Sequence, residues 1–210
     1  MSDNTYTAYR SNLSPIGRVS KRIFDFVIAL CGLIVFSPLF LFAYIAIKRD
    51  DKGKAIFSQV RIGLGGKPFT IYKFRTMIPQ AELGGRPMLW SGDKDPRLTK
   101  AGDFLRTHHL DELPQLWNVL IGDMSFVGPR PERQHFIDMI MERNPHYADL
   151  YQVRPGVFSE ATLYNGYTDS IEKMLKRLDM DLEYMQRQTL LSDFKIVFLT
   201  VSSILIGKKF

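Results

Sequence analysis

Between Phe26 and Ile47 the chain reads FVIALCGLIVFSPLFLFAYIAI, a run without one charge and with Ser37-Pro38 near its middle. As one helix, these roughly 22 residues would extend ~33 Å, about the ~30 Å of a bilayer's hydrocarbon core. The run is too long for the apolar part of a secretory signal, and Lys48 and Arg49 follow it in place of a cleavage site. A spanning helix is one reading. Proline inside a helix removes a backbone hydrogen bond and kinks or ends it, leaving halves of roughly 15–18 Å that are each too short to cross. Both flanks are also basic, with Arg18, Lys21 and Arg22 before the run and Lys48, Arg49, Lys52 and Lys54 after it. A span biases its lysine and arginine toward one face. A helix that enters and leaves on the same face is therefore the second reading, with the Ser37 hydroxyl placed to meet backbone groups freed at the break. The residues alone leave the two in balance.

The rest of the chain has the composition of a folded domain. At 210 residues, 45% hydrophobic and 24% charged, it is long enough for a real core and too apolar for extensive disorder. A net charge of +6 points to anionic partners. The one cysteine, Cys31, lies in the apolar run, where it reads as buried, and it excludes an internal disulfide.

The stretches AIFSQVRIG and KPFTIYKFRTM read as two strands joined at Gly65-Gly66. These glycines do not make a phosphate loop: Arg61 and Pro68 stand where the motif needs Gly and Ser or Thr. Strand alternation puts Lys73 and Arg75 on one face, opposite Tyr72 and Phe74. After a Gly- and Pro-rich loop, GDFLRTHHLDELPQLWNVLIGD has apolar residues at helical spacing and Pro114 suited to a first helical turn. Asp111 and Glu112 then stand at a helix start, and two roles stay open. Asp111 caps the helix while Glu112 complements its dipole, or the pair acts on something held by the surrounding cations. His108 and His109 precede them, but the chain's four histidines and one cysteine do not provide zinc-site spacing. In GPRPE, two prolines present Arg130 on a stiff turn suited to bidentate phosphate binding; pairing with Glu132 is the plainer use. Arg154 is carried by a similar turn, VRPGV. From Ser170 onward the chain is helical in period, and its apolar end from Phe194 to Ile206 is too short to span a bilayer. Lys208 and Lys209 would suit an acidic surface beside it. Cations scattered through turns, without a stacking motif, argue against nucleic acid as a partner.

Together the residues around Lys21-Arg22-Ile-Phe-Asp25, Ser37-Pro38, KFRTM, DPRLT, the block LDELPQLWNVLIGDMSFVGPRPE, RPG and SDFKIVFLT resemble the bacterial sugar transferases. These are the monotopic polyprenyl-phosphate phosphoglycosyl transferases, here as the catalytic core alone. The resemblance implies a helix-rich α/β (α+β) monotopic membrane protein on the cytoplasmic face of the bacterial inner membrane. Its parts would be a polar segment at 1–20, a re-entrant helix at 21–49 broken at Ser37-Pro38, and a catalytic domain at 50–210 with a small hairpin and amphipathic interfacial helices. The implied reaction moves a sugar 1-phosphate from a nucleotide sugar, usually a UDP-sugar, to undecaprenyl phosphate, with Mg²⁺ and a covalent intermediate. Asp111 matches the nucleophile, and Glu112 would hold metal with it or help activate the acceptor. Lys73, Arg75, Arg130 and Arg154 would bind phosphates, while Lys21, Arg22 and Asp25 would lie at the membrane interface. Further implied partners are membrane lipids and downstream membrane glycosyltransferases, and a homodimer stays open. Asp103, and Val157-Phe158-Ser159-Glu160 after RPG, depart from the usual pattern and leave the sugar undefined. The alternatives are a metal-dependent hydrolase of nucleotide sugars or lipid diphosphates, and a basic membrane-surface module without catalysis.

Overall fold

The computed structural model describes residues 8–50, 52–79, 81, 95–166 and 168–206. Helix α1 (Pro15–Val35) begins at Ser14, whose hydroxyl accepts the Gly17 N–H, with Pro15 in the first turn where its missing donor costs nothing. It ends at Phe36, and α2 (Ser37–Asp50) departs at 60°. The Ser37 hydroxyl donates to the Ile34 carbonyl at 2.8 Å, meeting an acceptor that the break releases. No single helix among the described residues is long and apolar enough to cross a membrane.

Helix α1 starts at Pro15, and its basic end is built into the protein. Lys21 pairs with Asp193. Arg22 donates to the Val119 and Leu120 carbonyls at 2.6 and 2.7 Å, and buried Asp25 accepts the Phe126 N–H at 3.1 Å. These three residues pin α1 to the chain beneath it. The reason is local: unsatisfied helix-end carbonyls and a buried N–H need partners. Ala29 is buried against this layer, while Phe26, Val27, Leu30 and Ile34 face outward. Cys31 is exposed, not buried.

Strands β1 (Ile56–Ile62) and β2 (Pro68–Phe74) form the expected antiparallel hairpin, with Gly65 and Gly66 at φ of 68° and 70° in its turn. The strand runs as far as Phe74. Arg75 donates its N–H to Ala55, and its guanidinium lies against Gly53, where an added Cβ would be 2.4 Å from Nη1.

The long helix expected around the acid pair is interrupted. Helix α3 (Lys100–Thr107), capped by Thr99, stops before His109, which takes a left-handed φ of 55°. A 3-10 turn follows at Leu110–Glu112, then α4 (Gln115–Ile121). The residue preceding α4 is Pro114, with no side-chain cap, so Asp111 does not cap this helix. Strand β3 (Ser125–Val127) leads through α5 (Gln134–Met141) and a 3-10 segment at Pro145–Gln152 to β4 (Gly156–Phe158), its parallel partner. The turns after β3 and before β4 nearly touch: a Cβ on Gly156 would lie 2.1 Å from the Gly128 nitrogen. Helix α6 (Glu160–Asn165) then precedes α7 (Ile171–Arg187) and α8 (Leu190–Leu205). The single C-terminal helical stretch expected from periodicity is split by a capping box between Thr189 and Ser192.

The fold is therefore helix-rich α/β, with two small sheets among the described residues. One core joins α1, α4, β3 and α8 through Ala29, Leu116, Val119, Phe126 and Ile196. A second lies between α5, the 145–152 segment and α7, and a third joins α2 and α3 to the hairpin through Ala43, Ile47, Phe74 and Leu105. The loop read across 82–94, and Lys208 and Lys209, lie outside the described residues.

Candidate active site

The 3-10 turn is held by its leucines: Leu110 and Leu113 pack on the core that contains Phe74 and Leu105. Its two acids have different environments. Lys73 Nζ on β2 lies 2.6 Å from Glu112 Oε1, and Arg130 Nη2 lies 3.2 Å from that same oxygen. Burial works to raise the Glu112 pKa, but Lys73 and Arg130 outweigh it and hold the carboxyl well below the usual range. Asp111 is buried and, among the described residues, receives no hydrogen bond. Burial raises its pKa to about 6, opposed by Lys73 and reinforced by the Glu112 charge. The pair thus combines a firmly ionised, clamped carboxylate with a neighbour poised between its two forms.

Arg130 is positioned from behind. The Glu132 carboxylate is taken by Arg177 and by Arg61 at 3.2 Å, while Arg61 also donates to the Pro131 carbonyl at 3.3 Å. Asp181 accepts a backbone hydrogen bond from Arg130 and the Ser159 hydroxyl at 3.0 Å, and burial pushes its pKa up to about 7. These buried groups tie α7 and the start of α6 to the proline-bounded turn that presents the guanidinium.

The structure brings Asp111, Glu112, Lys73 and Arg130 together. Arg75 is placed at Gly53, and Arg154 donates to the Gly122 carbonyl at 2.9 Å near Arg22 and Asp25; neither is brought to the acid pair. Two groups not singled out as site residues stand close. Arg106, in the last turn of α3, acts electrostatically on Asp111. His109, half-buried, is held below its usual pKa by burial and feels the charges of Glu112, Arg130 and Lys73. Both precede the acids closely in the chain, which was the available signal, but the left-handed turn at His109 was not legible.

No cluster of three or more His, Cys, Asp or Glu side chains suited to a metal occurs among the described residues. Mg²⁺ nevertheless needs only one or two carboxylates beside substrate phosphates and water. The donor set meets that demand, because both cations engage Glu112 through Oε1 and leave Oε2 and the Asp111 carboxylate for a hard cation. Chemically, the site offers a buried carboxylate nucleophile beside cations that can neutralise and align phosphates.

Comparison with known proteins bears on this geometry. Residues 16–207 match the profile of the bacterial sugar transferase family. The chain is 43% identical over 197 residues to a UDP-glucose:undecaprenyl-phosphate glucose-1-phosphate transferase of Caulobacter vibrioides, covering 91% of this chain and 73% of that protein. It is 40% identical to the Escherichia coli protein of the same name, covering 92% of this chain and 42% of that one. A UDP-N-acetylgalactosamine-undecaprenyl-phosphate N-acetylgalactosaminephosphotransferase of Aeromonas hydrophila is 38% identical, with 92% and 45% covered. The chain thus spans less than half the length of the latter two relatives. With the profile matched across nearly all its residues, the chain belongs to the bacterial sugar transferase family.

Proposed function

We propose that the chain is a phosphoglycosyl transferase that moves a sugar 1-phosphate from a UDP-sugar to undecaprenyl phosphate. The observation that carries this reading is the acid pair: Asp111 buried beside Glu112, which Lys73 and Arg130 clamp through one oxygen. An Asp111 oxygen attacks the phosphorus that bears the sugar; the bond to the UMP oxygen breaks, leaving an aspartyl phosphosugar and UMP. A phosphate oxygen of the acceptor then attacks the same phosphorus. The Asp111 carboxylate leaves, and undecaprenyl diphosphate sugar forms. Anion attacking anion is slow unless charge is neutralised. Lys73 and Arg130 supply that neutralisation, and Arg106 adds positive potential at Asp111. Glu112 keeps the cations in place. Mg²⁺, held by Asp111 and Glu112 together with donor phosphates, would add charge neutralisation and Lewis acidity. The relatives' names include both glucose and N-acetylgalactosamine, so this reading stops at UDP-sugar.

The test is intact-mass spectrometry of the solubilised protein with UDP-sugars. A gain of one sugar phosphate, abolished in Asp111→Asn, and UMP turnover that needs the lipid phosphate are expected. UMP release that ignores the lipid, or an adduct that survives Asp111→Asn, refutes the assignment.

The 60° bend at Phe36 and the outward apolar face of α1 support a re-entrant, monotopic attachment to the inner face of the bacterial cytoplasmic membrane. Product release there would feed membrane glycosyltransferases of a surface glycan. Epitope tags at the two termini should both be reachable from the cytoplasm in spheroplasts; an external N-terminus returns Phe26–Ile47 to a spanning helix.

A further inference from the structure

A cleft opens beside the acid pair, between the β4–α6 segment and the C-terminal half of α8. Glu112 and Arg130 stand at one end, and Val157, Phe158, Leu163 and Ile204 form apolar walls. Its hydroxyls do not offer the polar surface their number suggests. Ser159 spends its proton on Asp181, and the Thr200 hydroxyl donates to the Ile196 carbonyl one turn back at 2.8 Å. A sugar would need several hydroxyl partners, and apart from Thr162 these walls have already committed theirs. An isoprenoid chain needs none.

The surroundings favour the same occupant. On α8, Phe194, Phe198 and Val201 are exposed, beside the face that supplies Thr200 and Ile204 to the cleft. Phe194 meets Phe24 of α1 at 4.6 Å between ring centroids, so this apolar stripe continues into the outward face of the bent helix pair. An apolar surface with a cationic end inside the protein matches an amphiphile whose tail lies in lipid and whose head is a phosphate.

We propose that this cleft is the acceptor subsite: it takes the first isoprene units of a polyprenyl phosphate and delivers the headgroup to Arg130, next to Asp111. The proposal rests on the transferase reading and deepens it. On this proposal the two substrates are separated, and the donor does not need these walls.

The two half-reactions make the test. Thr162→Trp on α6 and Ile204→Trp on α8 would fill the cleft from opposite sides at partly exposed positions. Each is measured for phosphosugar adduct formed from UDP-sugar alone, and for transfer to a long-chain polyprenyl phosphate in nanodiscs. The expected result is a tenfold or greater rise in acceptor KM with no matching loss in adduct formation. The milder Thr162→Leu should move KM in the same direction by less, which keeps the test alive if a tryptophan variant fails to fold. An equal loss in both half-reactions assigns the cleft to the donor's sugar and overturns the proposal, as does an unchanged acceptor KM in folded variants. Wild-type protein that never forms an adduct is a different failure, since it removes the transferase reading itself.

Discussion

Asp181 offers the sharpest test of the buried network behind Arg130. It is 3% exposed, and its pKa is raised from 3.8 to about 7, chiefly by burial, with Arg177 and the Ser159 hydroxyl opposing. The sign follows from linkage. Below the unfolded value the group is protonated in both states and carries no penalty. As pH rises, the unfolded chain releases its proton while the folded chain holds on, so stability is lost until pH passes the folded pKa. At 1.36 kcal/mol per pKa unit, the penalty is ~1.6 kcal/mol at pH 5 and about 4 kcal/mol at pH 8. Asp181→Asn is neutral throughout and keeps an oxygen to accept from Ser159 and Arg130; any cost of placing its amide protons is independent of pH. The variant's Tm relative to wild type should therefore climb by roughly 5–10 °C between pH 5 and pH 8, at 2–4 °C per kcal/mol for a chain of this size. Differential scanning fluorimetry of detergent-solubilised protein over that range gives the answer. A Tm difference that stays flat with pH would show that Asp181 is ionised in the fold, and the burial reasoning would be wrong.

Two further outcomes follow from the site. Lys73 is the strongest neighbour lowering the Asp111 pKa, so Lys73→Met should shift the acid limb of the kcat/KM profile for the donor upward from its wild-type midpoint of about 6; an unchanged midpoint would detach Lys73 from the nucleophile. Glu132→Gln leaves Arg61 and Arg177 buried without their shared carboxylate, which should cost about 3–5 kcal/mol and lower Tm by roughly 6–20 °C in the same fluorimetric assay.

Local signals in the chain were read correctly where one short segment suffices. Ser37-Pro38 marked the helix break because proline's missing donor acts within a turn, and Gly65-Gly66 marked the hairpin because positive φ favours glycine. Lys73's pairing with Glu112 spans 39 positions and Arg130's spans 18, so the residue types could be nominated but their meeting could not be derived. The same limit applies to Arg75, whose guanidinium lies against Gly53.

Local residue order specifies the broken apolar helix, the hairpin and the chemistry available to a site made of adjacent acids and turn-borne cations. Which cations reach those acids depends on long-range packing. It sent Arg154 to Gly122 and Arg22 to the end of α4, because buried carbonyls must be satisfied by whichever donors lie in reach. It also paired Glu132 with Arg177 across 45 positions and Arg130 with Glu112 across 18. Packing assigns partners after it has set burial, and burial separates the two acids of LDELPQL into a clamped carboxylate and a poised one.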